Sequence, residues 1–137
     1  MRIVFGTNVY ISAFAVPGSR SSLALQLAAR GVFELVVSPA ILAELNRKLS
    51  GPKFGFSKQE LDDADRGIGE IATVVEPDFR LSVLDDEPDN RILECAVASG
   101  ASAIVTGDRE LLALGSYEGI GMMTVAGLLY TFPEPGT

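Results

Sequence analysis

Short runs of almost wholly apolar residues recur along this chain, each separated from the next by segments of helical periodicity. That alternation narrows the possible folds more than any other feature. Ile3-Val4-Phe5, Phe33-Glu34-Leu35-Val36-Val37, Thr73-Val74-Val75, Ala103-Ile104-Val105-Thr106 and Met122-Met123-Thr124-Val125 read as strands. Strands buried on both faces lose the in-out alternation of half-exposed ones, so runs of this kind belong in a parallel sheet covered by helices. The intervening segments supply those helices. Thr7 to Ala15 is closed by Pro17-Gly18, and a second helix capped by Ser21 or Ser22 carries Leu23, Leu27 and Ala28 and stops at Gly31. Ser38-Pro39 opens a third, serine as N-cap and proline at the first helical position, with Ile41, Leu42, Leu45 and Leu49 as its stripe. Ser57 caps a polar helix reaching about Ala72, another runs from about Pro88 to Ser99 and ends at Gly100, and Asp108 opens a short one with Leu111, Leu112 and Leu114. The reading is an α/β fold, a three-layer α/β/α domain with a short, mainly parallel central sheet. At 137 residues the chain suits a single domain over residues 1–132, with residues 133–137 as a C-terminal tail.

The residue inventory excludes whole classes of chemistry. There is no histidine and only one cysteine, Cys95. Ser-His-Asp triads, Cys-His pairs and imidazole or thiolate zinc sites are therefore ruled out. A lone cysteine cannot form an internal disulfide, which fits a reducing cytoplasm, and Cys95 sits among apolar residues as a small core side chain. The first 16 residues share the apolar character of a signal peptide, down to Ala13-Phe14-Ala15. The only early base is Arg2, however, and Gly6-Thr7-Asn8 breaks the apolar run at its centre. No apolar stretch reaches the ~18–20 residues a spanning helix needs, so no membrane association is expected.

In parallel sheets, binding sites lie at the carboxyl ends of strands. Three polar groups of residues fall where chemistry is possible: Gly6-Thr7-Asn8 after the first strand, Gly107-Asp108 after the Ala103–Thr106 strand, and Asp89-Asn90 in the first turn of a helix. Asp89 shares its helix face with Ile92, Leu93 and Ala96, which aims it at the core side, where a carboxylate needs a partner, a metal or a raised pKa. Its plain alternative is stabilisation of a helix N-terminus. Asp108 is equally an N-cap, and Glu44 lies on the flank of its helix, where a solvated glutamate is ordinary. Taken together, Glu44, Asp89 and Asp108 are three carboxylates on separate elements of a histidine-free chain, a donor set that suits the hard cations Mg²⁺ and Mn²⁺. The net charge of −7 says little about this site, because eleven of the 18 acids fall between Glu60 and Asp89, and the run from Glu60 to Asp65 reads as a solvated helix face. Asp85 and Asp86 stand just ahead of Asp89 as possible supports.

Four blocks resemble the PIN-domain ribonuclease family, in particular the small toxins of toxin–antitoxin pairs. Val4-Phe5-Gly6-Thr7-Asn8-Val9 through Ala13 is similar to its opening block, and Ser38-Pro39-Ala40-Ile41-Leu42-Ala43-Glu44-Leu45 to its second. Asp89-Asn90-Arg91-Ile92-Leu93 is similar to the third, and Ile104-Val105-Thr106-Gly107-Asp108-Arg109-Glu110-Leu111-Leu112 to the fourth. One departure matters. Where the family carries its first aspartate, this chain has Gly6, in an otherwise intact block.

The resemblance implies a Mg²⁺- or Mn²⁺-dependent endoribonuclease with Glu44, Asp89 and Asp108 as catalytic metal ligands, and Thr7, Asn8 and Thr106 orienting them. It implies weakened metal binding and cleavage because of Gly6. It also implies an RNA substrate, a protein antitoxin and a homodimer. Arg47, Lys48 and Lys53, clustered around the loop after the Glu44 helix, are candidates for the RNA backbone, although solubilising charge explains them as well. A different reading stays open: a catalytically inactive PIN-fold protein that binds RNA or an antitoxin-like partner. A receiver domain or a haloacid-dehalogenase-like phosphatase fits poorly, because the first strand is followed by Gly6-Thr7-Asn8 and no lysine follows Lys58.

Overall fold

The central strand β1 (Arg2–Phe5) is why the rest of the sheet can assemble: Ile3, Val4 and Phe5 are each fully buried, so both faces must be covered. In this computed structural model, which describes residues 1–133, β1 pairs in parallel with β2 (Glu34–Val37) on one side and β4 (Ala103–Val105) on the other. Val4 stands opposite both Val36 and Ile104, which places apolar side chains in line across the sheet. With β3 (Ala72–Val74), β5 (Ser116–Tyr117) and β6 (Ile120–Met123), the six strands run in the order β3-β2-β1-β4-β6-β5. All pair in parallel except β5, which is antiparallel to β6. The chain leaves β1 toward β2 and returns on the opposite side as β4, so the carboxyl ends of β1 and β4 flank the point where the winding reverses.

The crossovers are built from the helices α1 (Thr7–Ala15), α2 (Arg20–Ala29), α3 (Pro39–Ser50), α4 (Lys58–Ile71), α5 (Glu87–Ser99) and α6 (Arg109–Leu114), and α7 (Val125–Thr131) follows the last strand. Their ends follow local chemistry. Ser38 Oγ accepts from Ile41 N at 3.2 Å with Pro39 in the first turn, and Ser57 and Glu60 form a reciprocal capping box. Gly100 ends α5 in the left-handed region at φ 67°, which a side chain would strain. Arg47 and Lys48 in the last turn of α3 complement its dipole, a structural reason for part of the basic cluster. The three-layer α/β/α architecture expected from the alternation is present, and no helix among the described residues is long and apolar enough to cross a membrane.

Several local readings differ. The second helix is capped by Ser19, not Ser21 or Ser22; Ser19 Oγ accepts from Ser22 N at 3.2 Å, and Ser21 is buried inside the helix. The last strand begins at Ile120 and ends at Met123, because Thr124 caps α7 by accepting from Gly127 N at 3.0 Å. That final helix, and the short β5, do not stand out in the sequence pattern. The turn between β5 and β6 is Glu118-Gly119, with positive φ at both residues (48° and 82°), as a tight hairpin requires. Of the expected tail, residues 134–137 lie outside the described residues.

Candidate metal centre at the carboxyl edge of the sheet

The sequence candidates converge. Gly6, Thr7, Asn8, Glu44, Asp89 and Asp108 line one cavity of about 160 Å³ at the carboxyl ends of β1 and β4, with Thr106 beside them. The β1–α1 junction, the middle of α3, the start of α5 and the β4–α6 junction supply them. Gly6 caps α1 and its N–H donates to Val105 O at 2.8 Å, locking the β1 exit against β4. Thr106 is buried and its Oγ1 accepts from Asp108 N at 3.0 Å, which fixes the path of the loop. Asp108 then accepts through Oδ1 alone from Glu110 N (2.9 Å) and Leu111 N (3.1 Å). The capping and functional readings of Asp108 are therefore compatible: one oxygen holds α6 and the other is spare.

Asp89 is the most constrained member. It is 6% exposed, and its Oδ2 is buried with no hydrogen-bond partner among the described residues. Its helix is held in place from below by Asp86, whose Oδ1 accepts from Asp89 N at 3.2 Å. Burial, then the neighbouring Asp108 carboxyl, and the charges of Asp86 and Glu110 push the Asp89 carboxyl up to about 7. A buried carboxyl crowded by like charge is held that way at a cost, and a cation removes it.

Carboxylate oxygens of Asp89, Asp108 and Glu110 lie within 4.8 Å of one another. Donors around one octahedral Mg²⁺ or Mn²⁺ stand roughly 3 Å apart when neighbouring and roughly 4.2 Å apart when opposite, so the three carboxylates would have to draw in around an ion. The donor set, all oxygen, and the unpartnered Asp89 Oδ2 fit such an ion. The sequence pattern does not single out Glu110. An acid in the first turn of a helix reads as a dipole partner, and only its position two residues past Asp108 marks it.

Glu44 reaches the cavity but not the three-carboxylate group. Arg47 grips it through Nη2–Oε1 at 2.6 Å and Nε–Oε2 at 3.0 Å, with Lys48 Nζ at 3.9 Å. The Arg47 hydrogen bonds, then the charges of Arg47 and Lys48, hold its carboxyl below the usual glutamate range. Asn90 is turned away from the cavity. Fully buried, it accepts from Val83 N and Leu84 N at 3.1 and 2.9 Å and donates to Leu84 O at 2.8 Å, pinning the loop before α5. Cys95 is buried as expected, and burial pushes its thiol up to about 12.

Gly6 is not required by the backbone. Its φ of −67° and ψ of 155° are open to any residue. A Cβ there would meet Thr106 Oγ1 at 3.1 Å, Thr106 Cβ at 3.4 Å and Val105 O at 3.6 Å, tight against a buried threonine whose hydroxyl holds Asp108 N. The position lines the carboxylate cavity and accepts a side chain if Thr106 gives by a few tenths of an ångström.

Comparison with known proteins bears on the fold and the family. An uncharacterized protein of Methanocaldococcus jannaschii is 29% identical over 120 residues, spanning 83% of this chain and 75% of that protein. The crystal structure of VapBC2 from Rickettsia felis, bound to a DNA fragment from their promoter, superposes with a TM-score of 0.65 at 17% identity, over 90% of this chain and 98% of that one. Mycobacterium tuberculosis VapC20, a sarcin-ricin loop cleaving toxin, gives 0.59 at 15% identity, over 85% and 97%. At these identities the two structures speak to the fold. The family profile of the PIN domain matches residues 2–110, from β1 through the Asp108 loop, and this chain belongs to that family.

Proposed function

We propose that the protein is a PIN-type endoribonuclease that depends on Mg²⁺ or Mn²⁺, acts as the toxin of a toxin–antitoxin pair, and is impaired by Gly6. The observation that carries this reading is the meeting of Asp89, Asp108 and Glu110 around the unpartnered Asp89 Oδ2 at the sheet's switch point. Asp89 and Asp108 would hold the ion, with Glu110 as a third ligand and Glu44 joining when Arg47 releases it. Such an ion, when bound, supplies the charge that acidifies a water and offsets negative charge on the phosphodiester. The chain's own residues do the rest. Thr106 and the α6 N–H groups fix Asp108, and Asp86 and Asn90 fix the start of α5 and hence Asp89. Arg47 and Lys48 at the cavity wall, and Lys53 in the adjoining cleft, face the substrate's phosphates.

The similar structures include a toxin that cleaves the sarcin-ricin loop and a toxin–antitoxin complex, which supports RNA as substrate and a protein antitoxin as partner. A homodimer and a cytoplasmic location belong to the same proposal. The test is cleavage of end-labelled RNA in Mg²⁺ or Mn²⁺ by the protein and by Gly6→Asp. The variant should cleave and the parent should cleave little or not at all; equal activity would remove position 6 from the site.

A second reading has its own observation. With Gly6 contributing no ligand and Glu44 paired to Arg47, the site presents fewer free carboxylates than a working nuclease wants. The protein would then sequester RNA or an antitoxin-like partner without cutting, and Gly6→Asp would remain inactive while RNA binding persisted.

A further inference from the structure

The carboxylate cavity is one link in a chain of cavities that runs the length of α3. It shares Glu44, Arg47 and Pro88 with a cavity of about 360 Å³, which in turn shares Ala40, Arg80 and Arg91 with one of about 580 Å³ at the N-terminal end of α3. On the other side it shares Asn8, Arg47 and Lys48 with a cleft of about 680 Å³ at the C-terminal end. Ala40 and Ala43, one turn apart or less, leave the floor along α3 open.

Each end of this track carries an aromatic next to a base. At the C-terminal end Lys53 Nζ lies 5.4 Å from the Phe54 ring centre. At the N-terminal end the pair is Phe79-Arg80, on the loop between β3 and α5. Phe79 is unlike most large apolar side chains here. It is half-buried, yet it is absent from the set that packs on the hydrophobic core, and it makes no ring contact among the described residues, so its face serves the 580 Å³ cavity. Arg80 is exposed and has no ion-pair partner among the described residues.

The charges around Phe79 identify what part of a polynucleotide would sit there. Glu76, Asp78 and the buried Glu94 line the same cavity. Glu94 Oε2 already accepts from Leu81 N at 2.7 Å and Arg91 Nη2 at 2.9 Å, so Glu76 and Asp78 are the carboxylates open to a ligand. Carboxylates repel a phosphate but accept hydrogen bonds from the N–H edge of a base. Among the described residues Arg80 at one end and Lys53 at the other carry no ion pair, whereas Arg47 and Lys48 between them are held by Glu44 and Arg91 by Glu87 and Glu94. Stacking platforms beside a basic groove are the physical basis of single-strand binding.

We propose that Phe79 and Arg80 form a nucleotide subsite for single-stranded RNA, with one base stacked on Phe79 over the acidic floor, its phosphate on Arg80, and the strand continuing along α3 past the carboxylate centre to Lys53 and Phe54. This rests on the nuclease or RNA-binding reading above and adds a specificity-determining position to it.

The test is binding of a fluorescent single-stranded oligoribonucleotide, in EDTA so that cleavage plays no part, to the parent protein, Phe79→Ala, Phe79→Trp, Arg80→Ala and Lys53→Ala. Phe79→Ala should weaken binding about tenfold, the size of one base–aromatic stack, with the melting temperature unchanged because Phe79 lies off the core. Phe79→Trp should restore affinity, and Arg80→Ala should flatten the salt slope. Wild-type affinity in Phe79→Ala, with Lys53→Ala still weakened, would overturn the subsite while leaving the RNA-binding reading intact. Failure of the parent protein to bind RNA would overturn both.

Discussion

Replacing Gly6 by aspartate should have opposite effects on stability with and without a divalent ion. The backbone at residue 6 is already in a region that aspartate adopts, and a Cβ would meet Thr106 Oγ1 at 3.1 Å and Thr106 Cβ at 3.4 Å, so Thr106 must shift a few tenths of an ångström against its hydrogen bond from Asp108 N. Loss of glycine freedom in the unfolded chain favours the variant by about 0.4–1 kcal/mol. Against this, a new carboxylate enters a cavity where like charge and burial already push Asp89 up to about 7. Two unit charges near 5 Å repel by about 3 kcal/mol at an effective dielectric of 20, and less where water enters. The balance at pH 8 in EDTA is a destabilisation of about 1–2 kcal/mol, a fall of roughly 3–8 °C in Tm for a domain of this size. With Mn²⁺ the sign reverses, because an added anionic ligand tightens binding, and saturation at 100 times Kd adds about 2.7 kcal/mol. Differential scanning calorimetry of the two proteins, in EDTA and across a Mn²⁺ series, reads both effects. A variant that matches the parent in EDTA and gains no more from Mn²⁺ would refute the placement of residue 6 beside the carboxylates.

Asp89→Asn should stabilise the metal-free protein at pH 8 by up to about 4 kcal/mol and leave it nearly unchanged at pH 4. In the folded protein Asp89 keeps its proton to about pH 7, whereas the unfolded chain releases it near 4, so its stability penalty grows as pH rises between those values and is complete above them. Urea denaturation at the two pH values checks this. Substituting Arg47, Lys48 and Lys53 together by alanine should lower the salt slope of RNA binding by about 2, at roughly 0.7 for each phosphate no longer neutralised; filter binding across a salt series measures it. Asn90→Ala should cost about 2–4 kcal/mol in urea denaturation, since it orphans Val83 N, Leu84 N and Leu84 O in the loop ahead of Asp89.

The parts legible in the sequence are those where one physical demand acts alone. Ile3-Val4-Phe5 and Ala103-Ile104-Val105 have no polar face, and only a covered parallel sheet accepts them. Asp89 can be located because a carboxylate on an apolar helix stripe requires an explanation. Legibility fails where two demands share a residue or where an element is very short. Glu110 serves the α6 N-terminus as well as the carboxylate group, so its helix-dipole role hides the other. Thr124 reads as a strand residue although its hydroxyl starts α7. The two-residue β5 has no periodicity to detect, and Glu118-Gly119 is a less common turn pair than Asn-Gly. The Arg47 grip on Glu44 follows from their spacing of three on one helix, yet spacing alone does not say whether a base or a metal holds the carboxylate.

Whether the carboxylates at the sheet's switch point hold a divalent cation is read most directly by electron paramagnetic resonance of free Mn²⁺, titrated against the protein at pH 8. The expected result is a saturable site that Mg²⁺ displaces, weaker in the parent than in Gly6→Asp and lost in Asp89→Asn. Equal Mn²⁺ binding by all three proteins would contradict a metal centre built on Asp89 and its neighbours.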